Sequence, residues 1–481
     1  MLSAVKNAVV RVATRRVIKQ YKDQRSRLDP AYDGLPPALW DCAVSPGGRL
    51  LIEGFDSTEL ARSHGTPLHV VSHARLVKNY QNFIGAFRRH YDRCVLATSY
   101  KTNPLPGVIA ALHEAGTWAE AISGFELWLA LKLGMAPERI ILNGPGKGRE
   151  AIDTAVANGI QSINLDNAEE INWTAAACSR HDRRQNVGIR VIVPGGWTSQ
   201  FGMSISDGEA EGACARIAEH DKLRLCGLHV HLGTGIKDIA TYVRALNEVV
   251  EFGRRLETRH GVTMDYYDFG GGFGVPTVHT FDSWDVRMLD MGVPARAAFP
   301  EACPSPDAYA SSITSIVKSN HQRTDGPPPR IILEPGRAIT SSAQTLLTSV
   351  ITVKRSQHGR PLLIMDAGKH LTMPLGWEHH QIFAAGRMHD ADQGLFDVYG
   401  PLCHPGDVVA RAKNLPSMNS DDLLAIMDAG AYFIPNQMNF SHPRAGVVMV
   451  RDGAVTTIRR PEQFEDIVAL DSWGPVGNER G

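Results

Sequence analysis

The sequence predicts a (β/α)₈ TIM barrel followed by a β-rich C-terminal domain. Three observations point there. Short runs of β-branched and apolar residues alternate with segments of helical period from about residue 76 to 340. Polar or glycine-rich residues gather at the carboxyl ends of those runs, the face on which barrels carry their chemistry. Beyond residue 340 strand-like runs continue without regular helices.

In chain order, residues 1–45 form a basic extension in which Lys6, Arg11, Arg15, Arg16, Lys19 and Lys22 alternate with valines and Tyr21, before any acid appears. This reads as an amphipathic helix packing on the body or on a second subunit; a transit peptide or membrane-surface helix is the alternative. Residues 46–75 supply strand character at 50–55 that is expected to join the β domain. The barrel spans 76–340, with strands at 94–101, 118–122, 140–144, 162–166, 187–193, 224–232, 265–270 and 330–334. Helical stretches at 106–115, 124–133, 149–158 and 239–255 lie between them. Residues 275–306 read as a long excursion near the active face. The β domain, 341–481, has strands at 346–354, 361–366, 407–412, 422–428, 447–451 and 454–459.

Bulk composition narrows the function classes. With 481 residues, 43% hydrophobic and 21% charged, the chain can build two cores. A formal net charge of -1 gives no pull toward nucleic acid or anionic membrane, and no apolar run spans a bilayer. The seven cysteines are scattered and form no CxxC pair, so neither a disulfide framework nor a metal site is expected, and a reducing, cytoplasmic setting is.

Three segments carry chemistry. Ser99-Tyr100-Lys101-Thr102-Asn103-Pro104 sets a lysine at the end of a barrel strand, where burial and nearby cations would lower its pKa and suit a Schiff-base nucleophile. Asp268-Phe269-Gly270-Gly271-Gly272-Phe273-Gly274 can turn successive backbone amides toward an anion. Its spacing fails the dinucleotide fingerprint, because Val275 stands at the third glycine. Glu334-Pro335-Gly336-Arg337 places a carboxylate at a strand end, where it would keep a pyridine nitrogen protonated, and a guanidinium able to reach phosphate.

Together these segments resemble the fold-type III pyridoxal-phosphate (PLP) decarboxylases, the family of diaminopimelate and ornithine decarboxylases. The resemblance runs from residue 66 to 465. It also draws on Ser123-Gly124-Phe125-Glu126-Leu127, on Gly227 to Thr234, on Gly400-Pro401-Leu402-Cys403 and on Asp428-Ala429-Gly430-Ala431-Tyr432. It implies an alanine-racemase-like β domain, PLP bound covalently by Lys101, and His231 stacked on the ring. Glu334 would pair with the ring nitrogen, while Thr234, Gly271, Gly272, Gly336 and Tyr432 would surround the phosphate with Arg337 nearby. Glu120 stands where the family usually has Asp, and Gln200 where a basic residue is usual. A homodimer with shared sites is implied, Cys403 entering the partner's site to protonate the carbanion after CO2 leaves.

The substrate readers depart from the family. Met373 and Trp377, in Met373-Pro374-Leu375-Gly376-Trp377, occupy the Arg and Tyr positions of the motif that holds the distal carboxylate of diaminopimelate. His404 replaces the acid that follows the cysteine and binds a distal amine. These changes remove a bidentate clamp and a fixed negative charge. They predict a substrate that is neither meso-diaminopimelate nor ornithine, with an anionic, uncharged or bulky side chain. His379 and His380 are alternative readers. The competing functions are diaminopimelate decarboxylase proper, a racemase on the same fold, which would need a second base opposite the lysine, and a non-catalytic binding homologue. Retention of Lys101, Glu334, Tyr432 and the Gly-Pro-Leu-Cys segment favours the decarboxylase.

Overall fold

The computed structural model describes residues 35–281, 302–321, 326–355 and 360–472, with helical residues at 12, 13, 15, 16 and 19. Most of the predicted basic N-terminal helix and the middle of the 275–306 excursion lie outside the described residues.

Eight parallel strands close into a barrel: β1 (Cys94–Ser99), β2 (Trp118–Ala121), β3 (Ile140–Leu142), β4 (Ser162–Leu165), β5 (Gln185–Ile192), β6 (Leu223–His229), β7 (Tyr266–Asp268) and β8 (Arg330–Leu333). Closure is made by Ile163 opposite Val187 on one side and Ile331 opposite Cys94 on the other. The strands read as near-continuous apolar runs because each is covered outside by helices and inside by its opposite neighbours. Ala97, Ile141, Cys226, Tyr266 and Ile332 pack together across the interior. Above them the side chains turn polar, and that layer is the floor of the candidate site.

The helices start where the sequence offers caps. Ser72 accepts from Arg75 N to begin His73–His90, and Asp238 accepts from Ala240 N to begin Ile239–His260. Both bury an apolar stripe on the barrel and end in basic residues, which suit the negative end of the helix dipole.

The β domain is a second nine-stranded sheet, whose long strand Gln344–Arg355 leads directly out of the barrel. Within 46–75 the strand that enters this sheet is Leu68–Ser72, antiparallel to Gln344–Arg355 and parallel to Gly446–Arg451. The expected strand at 50–55 is a correction. Leu50–Ile52 and Phe55–Asp56 are hairpin partners separated by Glu53 and Gly54, both at positive φ, and they pair in a small sheet with Ala43–Val44. The Glu53-Gly54 turn breaks the run before it is long enough to reach the domain sheet.

His69 and His370 are fully buried in this half of the chain. Burial, reinforced by the charge of Arg459, pulls His69 down to about 3, and burial, with His442, pulls His370 down to about 4. Unfolded histidines take up a proton near pH ~6.5, so the unfolded state binds more protons below that value. The stability these groups contribute is therefore complete above pH ~6.5 and lost as pH falls toward their folded values, on the order of 1 kcal/mol per group per unit. The urea midpoint is expected to fall steadily from pH 7 to pH 5; a flat or rising midpoint over that interval would contradict this.

Candidate active site

The two strand-end glutamates of the site are held by hydrogen bonds from residues of other strand ends. Lys101 leaves β1 in a single 3-10 turn, Tyr100–Thr102, and its Nζ donates to both Glu120 oxygens, at 3.0 and 2.8 Å. Ser99 Oγ donates to the same carboxylate at 2.6 Å. Asn143, just past β3, donates to Glu120 at 3.3 Å and to Glu334 at 2.6 Å, bridging the two acids. Its own oxygen accepts from Asn164 at 2.8 Å, and Tyr266 OH donates to Asn164 at 2.7 Å. A chain of amides thus runs across the barrel and fixes the floor.

Burial lowers the affinity of Lys101 for its proton, but the charges of Glu120 and Glu334 outweigh it, and the amine sits above its ordinary range. This corrects the expectation of a lowered pKa: carboxylates, not cations, are its near neighbours. Glu120 is pushed up by burial yet held below its usual range by Lys101. Glu334 is pushed well up, first by burial and then by the charge of Asp268. Asp268 rises to about 7, mainly by burial, and the two share a hydrogen bond. Both acids are thereby suited to a cationic group placed against Glu334.

The thirds of the site that flank this floor are backbone-built. Gly272 has φ +90°, and a Cβ there would lie 2.4 Å from the Gly233 carbonyl; one on Gly271 would lie 2.3 Å from the Glu334 carbonyl. Only glycine allows the 270–274 loop to press against the 233–236 loop, where Ile236 N donates to Gly272 O at 2.8 Å. Thr234 is exposed at the rim of this cradle. Gly271 N donates to His231 Nδ1 at 3.1 Å, which turns the imidazole toward the pocket. Burial, with the charge of Lys101, takes His231 down to about 3, so it presents a neutral ring. A Cβ on Gly336 would meet Thr102 Oγ1 at 2.1 Å, and Tyr432 N donates to Thr102 O at 2.9 Å. The Lys101 turn is therefore clamped between the β8 turn and the Tyr432 loop of the β domain.

Arg337 is 7% exposed and lies with its Cζ 5.5 Å from the Tyr432 ring centre. Its fork is taken by Glu378: Nη1 donates to Oε2 at 2.9 Å and Nη2 donates to Oε1. Its Nε has no hydrogen-bond acceptor. His380, buried, sits between Glu378 and Met427, with Nε2 3.0 Å from Glu378 Oε2 and Nδ1 2.9 Å from the Met427 carbonyl. Burial pushes Glu378 up, but the guanidinium beside it holds its carboxyl below the usual range.

Lys101, Glu120, His231, Gly271, Gly272, Glu334, Gly336, Arg337 and Tyr432 are thus brought together by these contacts at the carboxyl ends of the strands. Met373 is half-buried and Trp377 38% exposed, on the turn that leads into Glu378. Cys403 and His404 are not brought to the pocket within one chain. They are exposed on a β-domain loop anchored by Asp407, which accepts from Leu402 N at 2.7 Å. The sequence reading gave no role to Asn143 in the amide chain, to His229 or to Glu378. An acid in the otherwise neutral run 371–382 was the available signal for Glu378.

A fully buried lysine, Lys147, follows β3 and was not anticipated. Its donors are spent on Gly144 O at 2.6 Å, Asn164 O at 2.9 Å and Glu170 at 2.7 Å. An ammonium has three donors, so Lys147 is structural.

The residues fit PLP. The unsatisfied Arg337 Nε and the glycine cradle suit a phosphate, and the overloaded Glu334 suits a protonated ring nitrogen. His229, Asp268 and Glu334 place ligand atoms within 4.8 Å of one another, a spacing also open to a cation. The charges of Lys101 on Asp268 and of Arg190 on Glu334 act against a bare dication there.

Comparison with known proteins agrees. Residues 74–341 match the family "Pyridoxal-dependent decarboxylase, pyridoxal binding domain". The chain is 32% identical over 439 residues to a diaminopimelate decarboxylase of Methanothermobacter thermautotrophicus, covering 89% of this chain and 96% of that one. It is 29% identical over 434 residues to that of Aquifex aeolicus, covering 88% and 95%. A crystal structure of the diaminopimelate decarboxylase from M. jannaschii superposes with a TM-score of 0.80 at 26% identity, over 90% of this chain and 98% of that one.

Proposed function

The chain belongs to the pyridoxal-dependent decarboxylases and is a PLP-dependent amino-acid carboxy-lyase; from that premise we propose that it decarboxylates an amino acid other than meso-diaminopimelate or ornithine. The observation that carries this reading is the set Met373, Trp377 and His404 at the positions expected to read the distal end of the substrate. A distal ammonium facing a neutral imidazole lacks its counter-charge, a loss of roughly 2–5 kcal/mol for a desolvated pair. The names of the relatives favour diaminopimelate instead, so CO2 release from a panel of amino acids is the deciding experiment. Neither meso-diaminopimelate nor ornithine is expected to be turned over with kcat/KM above about 10⁴ M⁻¹s⁻¹, the ordinary enzyme range. Turnover of either above that value would overturn the proposal.

Bound PLP supplies an electron sink for the pair released when the α-carboxylate departs. The residues then divide the work. Lys101 would hold the cofactor through Nζ and can exchange a proton with Glu120, whose oxygens lie 2.8 and 3.0 Å away. Glu334, fixed by Asn143, would keep a proton on the ring nitrogen. His231 would offer a neutral ring to the cofactor, and the Gly271–Gly272 cradle, Thr234, Gly336, Tyr432 and Arg337 Nε would hold its phosphate. In our reading the site is completed by a second copy of the chain, and Cys403 of the partner subunit returns a proton to the α-carbon. Its exposure in the single chain supports that role. Free cysteines throughout suit a reducing, cytoplasmic setting.

The shared site has a direct consequence. Lys101→Ala and Cys403→Ala chains, each inactive alone, should regain about a quarter of wild-type activity when mixed. Random pairing makes half the dimers hybrid, and each hybrid has one site with both native residues. Absence of recovery under conditions where subunits demonstrably exchange would argue for Cys403 acting within its own chain or not at all.

A further inference from the structure

Two buried ion pairs besides Lys101–Glu120 follow strand ends of the barrel and differ in what surrounds them. The Lys147–Glu170 pair is saturated by carbonyls and faces no open space. The Arg337–Glu378 pair is different, because it adjoins residues of the candidate site. Arg337 lies against Tyr432 and follows Gly336, which packs on the Lys101 turn. Glu378 directly follows Trp377 on the short strand Glu378–His379, which pairs with His279–Thr280 of the barrel-side excursion.

A buried guanidinium beside an amino-acid pocket is the strongest receptor such a pocket can offer a carboxylate, since its planar fork matches two oxygens at once. Here that fork is filled from within the chain. Glu378 supplies both oxygens, is 3% exposed, and is fixed from behind by His380 Nε2 at 3.0 Å. We infer that Glu378 is a specificity-determining residue, an internal carboxylate that occupies Arg337 and makes the pocket select amino acids with an uncharged distal end over those with a distal carboxylate. A substrate carboxylate would have to displace a preorganised partner and leave Glu378 buried without its cation. This narrows the substrate class left open above from anionic, uncharged or bulky to uncharged, and it rests on the proposed exclusion of the two diamino acids.

The probes are racemic 2-aminoadipate and racemic norleucine, which share chain length and differ in a terminal carboxylate against a methyl. Binding to the PLP-loaded enzyme is read by the change in cofactor absorption and by calorimetry. The wild type is expected to bind norleucine at least about tenfold tighter. Glu378→Gln, which keeps the shape and surrenders the charge, should tighten 2-aminoadipate by about tenfold or more. The double variant Arg337→Gln/Glu378→Gln should lose that gain. Equal wild-type binding of the two probes overturns the inference, and this arm needs no variant to fold. A folded Glu378→Gln protein with no gain, or a gain that survives in the double variant, overturns it too. Ornithine turnover with the binding bias intact would overturn the substrate exclusion alone. Loss of the bias with neither diamino acid turned over would overturn this inference alone.

Discussion

Lys101→Ala is expected to reduce CO2 release by roughly 10⁴-fold or more, the scale seen when a covalent catalytic group is removed. The loss follows from geometry that no other residue reproduces among those described. Lys101 is delivered to the pocket by the Tyr100–Thr102 turn, which is pinned by Gly336 on one side and by Tyr432 N on the other. Its amine faces Glu120 and feels Glu334. Lys147, the fully buried lysine after β3, is turned away and bound to Glu170. The variant should fold, since truncation removes a cation that pairs with a single acid, and Glu120 keeps Ser99 and Asn143 as donors. A folded Lys101→Ala protein with more than a few per cent of wild-type turnover would refute the assignment.

Glu334→Gln is expected to lower kcat by roughly 10²–10³-fold, about 2.7–4 kcal/mol, as when one preorganised electrostatic contact to developing charge is removed. The substitution preserves the volume and the contact with Asn143 Nδ2. It removes the one feature the buried carboxylate contributes, a negative charge raised in proton affinity by burial and by Asp268. An amide cannot keep the ring nitrogen protonated, so the electron sink weakens while the cradle and Lys101 still retain the cofactor. The check is a paired measurement, kcat alongside the visible absorption of bound PLP. Retained absorption with wild-type kcat would show that Glu334 has no part in the chemistry.

The barrel was legible because its strands bury both faces and therefore write themselves as short apolar runs. All eight predicted runs overlap the observed β1–β8. The strand-end residues were legible for the same reason, since Glu120 and Glu334 are polar interruptions at the ends of such runs. What escaped was pairing over distance. Nothing local to Arg337 says that its partner is Glu378, 41 positions later on another domain. Nothing local to Lys101 says that carboxylates surround it, so the sign of its pKa shift came out wrong. The Leu50–Phe55 region failed because two positive-φ residues, Glu53 and Gly54, fold it back on itself. Cys403 could be assigned only through the family motif, because within one chain it contacts none of the pocket.

The most direct test of the central claim is to reduce the native, PLP-loaded enzyme with borohydride, digest it and map the labelled peptide. The label is expected on Lys101 alone, in the peptide that contains Ser99-Tyr100-Lys101-Thr102. Labelling of Lys147 or any other lysine in place of Lys101, or no label in a protein that retains its cofactor absorption, would contradict the account.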